Sequence, residues 1–303
     1  MSTPPKFLPL TIFCGKGGVG KTSMALAFAL QHAERGRPTL VVTSHPLQEL
    51  AVSVSLAGLK ENHPRAAAHL FIIHLEPREL LARRIRQAVP SEMLVTKILE
   101  SPIYQSLIEI APGLKEIMFL GRLHQLAEAR SQEGKSGKFD LVVWDAPATG
   151  HFLQTLKVSQ SFETHLSGAF ALLGKEVAEY FSDSSNFFLV PVTTLEEMAV
   201  EETIELCGKL REELKMKPSG LICNMASPLL GRPDFDVEQV RRQVAGNDGG
   251  ELKFVLDRHL IERKLYQKLK ASIHTDFQIV KRKPFWNSDM ELLMDLSRQL
   301  KTF

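Results

Sequence analysis

The chain has 303 residues, 44% hydrophobic and 24% charged, an ordinary globular composition long enough to bury about three quarters of its unfolded surface in one large α/β domain. The formal charge of +2 is close to balance and argues neither for nor against a polyanionic partner. Cys14, Cys207 and Cys223 are far apart without a CxxC pair, which suggests neither a disulfide framework nor a zinc clasp and fits a reducing cytoplasm. Met1 to Lys6 is polar, without the apolar core of a signal peptide, and no apolar run approaches a membrane span, so any membrane contact is expected to be peripheral.

In chain order, Leu10 to Cys14 is an apolar, strand-like run. The glycine-rich turn Gly15-Lys16-Gly17-Gly18-Val19-Gly20-Lys21-Thr22 follows at once, and Ser23 to Glu34 reads as a mostly apolar helix. Strand, glycine turn and helix in this order make the G-x-x-x-x-G-K-[ST] spacing credible as a P-loop. Glycines remove Cβ atoms where the backbone must curl, so that successive N–H groups aim at phosphate oxygens and the helix adds its positive end. The candidate cradle is Gly15, Gly17, Gly18, Val19, Gly20, Lys21, Thr22 and Ser23. Lys21 is placed for the β- and γ-phosphates of ATP, and the Thr22 hydroxyl for Mg²⁺.

Gly36 marks the end of the helix, and Pro38 to Thr43 gives a second buried strand leading into Ser44-His45-Pro46. His69 to Leu75 reads as a third strand. From Glu79 to about Gln132 apolar residues recur at three and four positions, describing several amphipathic helices broken at Pro90, Pro102 and Pro112-Gly113: a helical insertion. A polar loop, Ser131 to Lys138, precedes the buried strand Phe139 to Trp144, which delivers Asp145 where a ligand to a Mg²⁺-bound water is wanted. A strand-terminal structural Asp is the other reading. Phe152 to Phe181 is helical again. Asn186 to Val192 is a strand, and a helix toward Lys217 opens with the capping-box spacing Thr194 to Glu197. The strand Pro218 to Asn224 ends in a residue that serves either an adenine edge or a turn.

In the tail, a loop (Ser227 to Phe235), a helix and the glycine-containing stretch Ala245 to Gly250 precede the Lys- and Arg-rich helix Leu252 to Lys270, whose charges suit a solvated face. Phe277 to Val280 is a last strand. The closing helix Asp289 to Leu300 carries Asp289, Glu291 and Asp295, which favours packing on the body over membrane binding. Strands interspersed with helices predict right-handed crossovers and a doubly wound, mostly parallel sheet of about seven strands, an α/β P-loop NTPase fold with a helical insertion.

The loop with its additional Lys16 resembles the variant P-loop of the dimeric ATPases that include arsenite-pump ATPases, tail-anchored-protein targeting ATPases, nitrogenase iron proteins and partition or septum-site ATPases. Asp145-Ala146-Pro147-Ala148-Thr149-Gly150-His151 resembles that family's second switch, Asp-x-x-x-Thr-Gly-His, with a shifted proline. Ala111-Pro112-Gly113 with Glu116 is similar to a segment of the targeting and arsenite-pump branches, where the insertion carries the client or metalloid site.

The resemblance implies a single P-loop ATPase domain over residues 1–303, with a helical subdomain from about 79–132 and 152–182. It implies ATP and Mg²⁺ at the interface of a homodimer, or of a heterodimer with a related ATPase, and Lys16 reaching the partner's nucleotide. It makes Asp145 a switch residue and Asn224 an adenine contact. Where the relatives carry an Asp that handles the attacking water, this chain has His45, either a weaker general base or a loop histidine. That departure endangers hydrolysis more than binding and motivates a second reading, a hydrolysis-impaired regulatory subunit. The helices imply a groove for a hydrophobic membrane-protein client, although Met93 and Met118 alone supply methionine there. Scattered cysteines disfavour an arsenite pump, and no nucleic-acid partner is expected.

Overall fold

The computed structural model describes residues 8–43, 63–102, 104, 113–128, 139–161, 169–230, 250–283 and 286–301. His45, Ala111-Pro112, the loop 131–138 and the stretch 231–249 lie outside the described residues. The strands are β1 (Leu10–Cys14), β2 (Thr39–Thr43), β3 (Leu70–His74), β4 (Leu141–Asp145), β5 (Phe187–Thr194), β6 (Leu221–Ala226) and β7 (Phe277–Lys281). They form one 7-stranded sheet in the order β3-β2-β4-β1-β5-β6-β7. Every neighbouring pair is parallel.

Alternation along the central strands explains why both faces must be covered. Leu10, Ile12 and Cys14 of β1, Leu40 and Val42 of β2 and Val142 and Trp144 of β4 enter one core. Phe13, Val41, Leu141 and Val143, one residue out of step, enter the other. A strand apolar on both faces is stable only between two layers of helices.

The second core is closed by α1 (Lys21–Glu34) and α10 (Asp289–Gln299), with α2 (Pro64–His69) beside α1. Leu293, Met294 and Leu296 join that core, and Gln31 Nε2 donates to the carbonyls of Ser297 and Leu300, both at 2.8 Å. The C-terminal helix is thus docked on the body. The first core is closed by α3 (Pro77–Ala88), α5 (Leu114–Glu128), α6 (Thr149–Ser161) and α7 (Ala169–Ser182), with α4 (Glu92–Glu100) against α3. In this layer α5 is the hub, touching α3, α6, α7 and β4. Gly121 permits it, because a Cβ there would lie 2.7 Å from Leu173 Cδ1 of α7. The last helices, α8 (Glu197–Glu213) and α9 (Gly250–Ser272), pack together beside β5 and β6.

Three local expectations change. The first helix begins at Lys21 rather than Ser23, so the two site residues lie in its first turn. His69 closes α2, and β3 starts at Leu70, because the Ala-rich run after Pro64 favours a helix turn. The run Phe152 to Phe181, read as helical, carries α6 and α7. The Thr194–Glu197 capping box does not form, because Thr194 is the last residue of β5 and the helix is preceded by Glu196 without a side-chain cap. The basic run of α9 also turns a buried stripe inward at Leu256, Glu262, Leu265 and Leu269.

His32 sits on α1 with 3% of its surface exposed and its ring 4.7 Å from Phe28. Arg37 Nη1 approaches Nδ1 at 3.5 Å, a contact that requires the neutral imidazole to accept. Burial first, and then Arg37 and Arg35, push its pKa down to about 4. The unfolded chain therefore takes up this proton near pH 6.5 while the folded one resists it, so folding loses stability as pH falls from 6.5 toward 4. In urea titrations across that window, His32→Gln is expected to remove on the order of 3 kcal/mol of the acid-side decline. Parallel wild-type and variant curves would refute it.

Candidate functional site

The site forms where β1 stops and the chain must turn before α1 can start. Gly15 takes φ +135°, and a Cβ there would lie 2.3 Å from the Val192 carbonyl oxygen on β5. That oxygen belongs to a sheet backbone and has no room to retreat. Gly20 takes φ +89°, and its Cβ would meet Asn224 Nδ2 at 2.4 Å. Gly18, at φ +83°, has open space, while Gly17 has open space and an ordinary φ. The demand for glycine therefore falls on Gly15, Gly18 and Gly20. Val19 anchors the loop by burying its side chain in the second core, leaving Gly17 and Gly18 as an exposed rim. Gly20 is the residue before α1, and no side chain caps the helix, so its first amides are left available to an anion, a candidate cradle.

Within the cradle, Lys21 is 8% exposed and its Nζ donates to the Lys16 carbonyl at 2.9 Å. Burial lowers its pKa, with Asp145, Cys14 and Glu202 opposing. A desolvated ammonium of this kind gains from an arriving phosphate. Thr22 and Ser23 sit half-buried in the first turn of α1. The Thr22 hydroxyl donates to Asp145 Oδ2 at 2.8 Å, joining the loop to β4, and the Thr43 hydroxyl at the end of β2 reaches the same oxygen at 3.3 Å. The sheet register makes this convergence: Phe13, Thr43 and Asp145 are partners across β1, β2 and β4. Asp145 is fully buried. A hydroxyl and a carboxylate side by side are hard oxygen donors suited to Mg²⁺ or its water shell.

Lys16 turns outward, its Nζ 3.4 Å from Glu202 Oε2 on α8. Asn224, 3% exposed, has both ends of its amide engaged: Nδ2 donates to the Val19 carbonyl at 2.9 Å and Oδ1 accepts from Met225 N at 2.8 Å. Met225 takes φ +54° at the register irregularity of β6 between Cys223 and Ala226, so Asn224 shapes that irregularity and braces the loop. The structure thus gathers Gly15 to Ser23, Asp145 and Asn224 at one edge, with Lys16 at its margin. Thr43 and Glu202 join them, and sequence reasoning had named neither for the site. Thr43 offered a weak signal as a polar strand end beside His45, whereas Glu202 is one of several acids on its helix.

Beyond Asp145 the chain passes Pro147 and enters α6 at Thr149. Trp144, Pro147 and His151 line one side of a cavity of about 230 Å³, with Lys115, Glu116 and Phe119 of α5 on the other. The segment read as a second switch therefore lies between the cradle and the helical layer. All three cysteines are buried with their thiols pushed up by that burial, Cys207 and Cys223 to about 12. Among the described residues no group of three or more His, Cys, Asp or Glu is arranged to hold a metal ion.

The family model for anion-transporting ATPases matches residues 8–175, from the start of β1 into α7. The chain belongs to this family. Its fold and P-loop are those of an anion-transporting ATPase, and its similarity runs to both named branches. It is 27% identical over 265 residues to ATPase GET3B of Arabidopsis thaliana, a match covering 71% of this chain and 63% of that protein. It is 26% identical over 239 residues to ATPase BagA of Mycobacterium tuberculosis, covering 72% of this chain and 65% of the other. The arsenical pump-driving ATPase of Acidiphilium multivorum is 26% identical over 236 residues, 73% of this chain and 40% of that one. The chain thus spans less than two thirds of the length of each of these relatives.

Gly15 and Gly17, one pressed against β5 and the other in open space, make a steric test of the loop. Gly15→Ala is expected to lose about 2 kcal/mol or more in urea unfolding, from overpacking and a positive φ, while Gly17→Ala stays within about 0.5 kcal/mol. Equal losses in the two variants would show that the loop is not pressed against β5 as described.

Proposed function

We propose that the chain is an ATP-binding, Mg²⁺-dependent ATPase that works as a dimer and couples its nucleotide state to a partner held by the helical layer. The observation that carries the reading is the hydrogen bond from Thr22 to Asp145, set beside a buried Lys21 and a turn in which Gly15 and Gly20 leave no room for a larger residue. Mg²⁺, when bound, would supply positive charge against that developing in phosphoryl transfer. The loop amides and Lys21 bind and orient the phosphates. Thr22 and Asp145 hold the metal or its water shell, and Lys16 leaves Glu202 to reach the partner's nucleotide. Asn224 keeps the loop in register and, on releasing Val19, offers its amide to the adenine.

His45 stands where the family's water-handling Asp is expected. A neutral imidazole accepts one proton, so we assign it the general-base role with slow turnover. The helical layer is the proposed partner surface. On α4, Met93 is 72% exposed, Leu94 53% and Ile98 38%, apolar side chains that suit a hydrophobic membrane-protein segment. No helix among the described residues is long and apolar enough to cross a membrane. We place the protein's work in the cytoplasm, on the grounds of its unpaired cysteines. The same His45 favours a second reading, a nucleotide-gated subunit of a heterodimer whose partner supplies the acid.

Single-turnover hydrolysis of labelled ATP, with binding followed in parallel, separates these. Wild type is expected to bind and hydrolyse slowly, Lys21→Ala to lose binding, and His45→Asp to raise the rate by on the order of 10²-fold. Tight binding with no turnover until His45→Asp restores it would favour the regulatory subunit, and binding unaffected by Lys21→Ala would sink the site assignment.

A further inference from the structure

Away from the cradle, α3 and α5 of the helical layer converge on a second and smaller cavity, of about 60 Å³. Arg83 and Arg84 of α3 and Arg122 of α5 line it, together with Gln87 and Gln125, and among the described residues no carboxylate does. Leu173 of α7, pressed against Gly121, forms part of an apolar floor. Arginine is rarely left this way. Elsewhere in the chain Arg86 faces Glu92 at 3.8 Å and Arg258 donates to Glu262 at 3.0 Å. Among the described residues none of Arg83, Arg84 and Arg122 is in an ion pair, and Arg122 has instead the neutral Gln125 Oε1 at 3.4 Å.

We propose that these three arginines form a site for a single phosphate-type oxyanion, separate from the nucleotide cradle. The volume is on the scale of one tetrahedral group. Arg forks match such oxygens two at a time, and the two glutamine amides add donors. The electrostatics favour an occupant independently. Arg122 is half-buried, and both its desolvation and the like charge of Arg83 lower its pKa. A partly buried cation beside another, with no acid among the described residues lining the cavity, is a cost that an anion removes. Arg83 is exposed, so the mouth opens to solvent. The phosphate arrives either free in solution or as the headgroup of an anionic lipid.

The test titrates the full chain with inorganic phosphate and, in a second arm, sediments it with phosphatidylcholine vesicles with and without phosphatidic acid. Each of Arg83→Gln and Arg122→Gln is expected to weaken binding about tenfold, the loss of one charge-assisted contact, and Arg122→Lys to weaken it less. ATP-analogue binding at the cradle is read in the same variants to establish that they fold. Arginine-dependent binding of free phosphate supports a soluble ligand, and arginine-dependent capture by phosphatidic acid alone supports the headgroup. Phosphate binding that survives both Arg→Gln changes, or that vanishes only in Lys21→Ala, overturns the site, as does failure to bind in both arms.

Discussion

The arrangement depends on how closely one turn is pressed between three strands. Gly15 lies against the β5 backbone, Gly20 against Asn224 at the end of β6, and Thr22 is tied to Asp145 at the end of β4. Because the contacts come from both sides of β1, the loop has little freedom to relax toward any other curvature. The amides at the start of α1 are thereby fixed in direction before any ligand arrives, which is the preorganisation that phosphate binding rewards. The parallel sheet makes this arithmetic: all seven strands finish on the same edge, and the strand order puts β4 and β5 on either side of β1.

The helical layer is connected to that edge through few residues. Trp144 precedes Asp145 and packs between Phe119 of α5 and Phe152 of α6, with ring centroids 5.3 and 5.5 Å away. A displacement of the β4 carboxyl end therefore meets two helices within one residue. This aromatic stack joins the carboxyl end of β4 to α5 and α6, and packed interiors shift between discrete arrangements rather than deforming smoothly. The layer has its own electrostatic character as well, with arginines on α3 and exposed apolar side chains on α4.

Much of this was legible because parallel strands buried on both faces read as continuous apolar runs, and the run Phe139 to Trp144 leaves Asp145 conspicuous at its end. The cradle was legible for a related reason: glycine spacing is a local demand of backbone geometry. Helix and strand ends were less so. Thr194 has the chemistry of a cap, yet β5 runs on through it because β6 is there to pair with, and a partner strand is invisible along one chain. Asn224 shows the sharper limit. Its position was readable, but its bond to Val19 spans 205 residues, and a side chain that braces a loop has the same letter as one that reads a base. The arginine cavity has no linear signature at all, being assembled from two helices, α3 and α5, that are far apart in the sequence and meet only in the folded layer.

Cys14, Cys207 and Cys223 lie in the interior, and burial holds each as a thiol rather than a thiolate. Since only the thiolate reacts, the folded protein shields all three from alkylating reagents. Cys14 is the residue immediately before the turn and Cys223 the one before Asn224, so two of them stand beneath the two ends of the clamp on the loop. Their labelling rates are built-in clocks for the opening of that clamp, reporting the exposure of the nucleotide edge without an added probe.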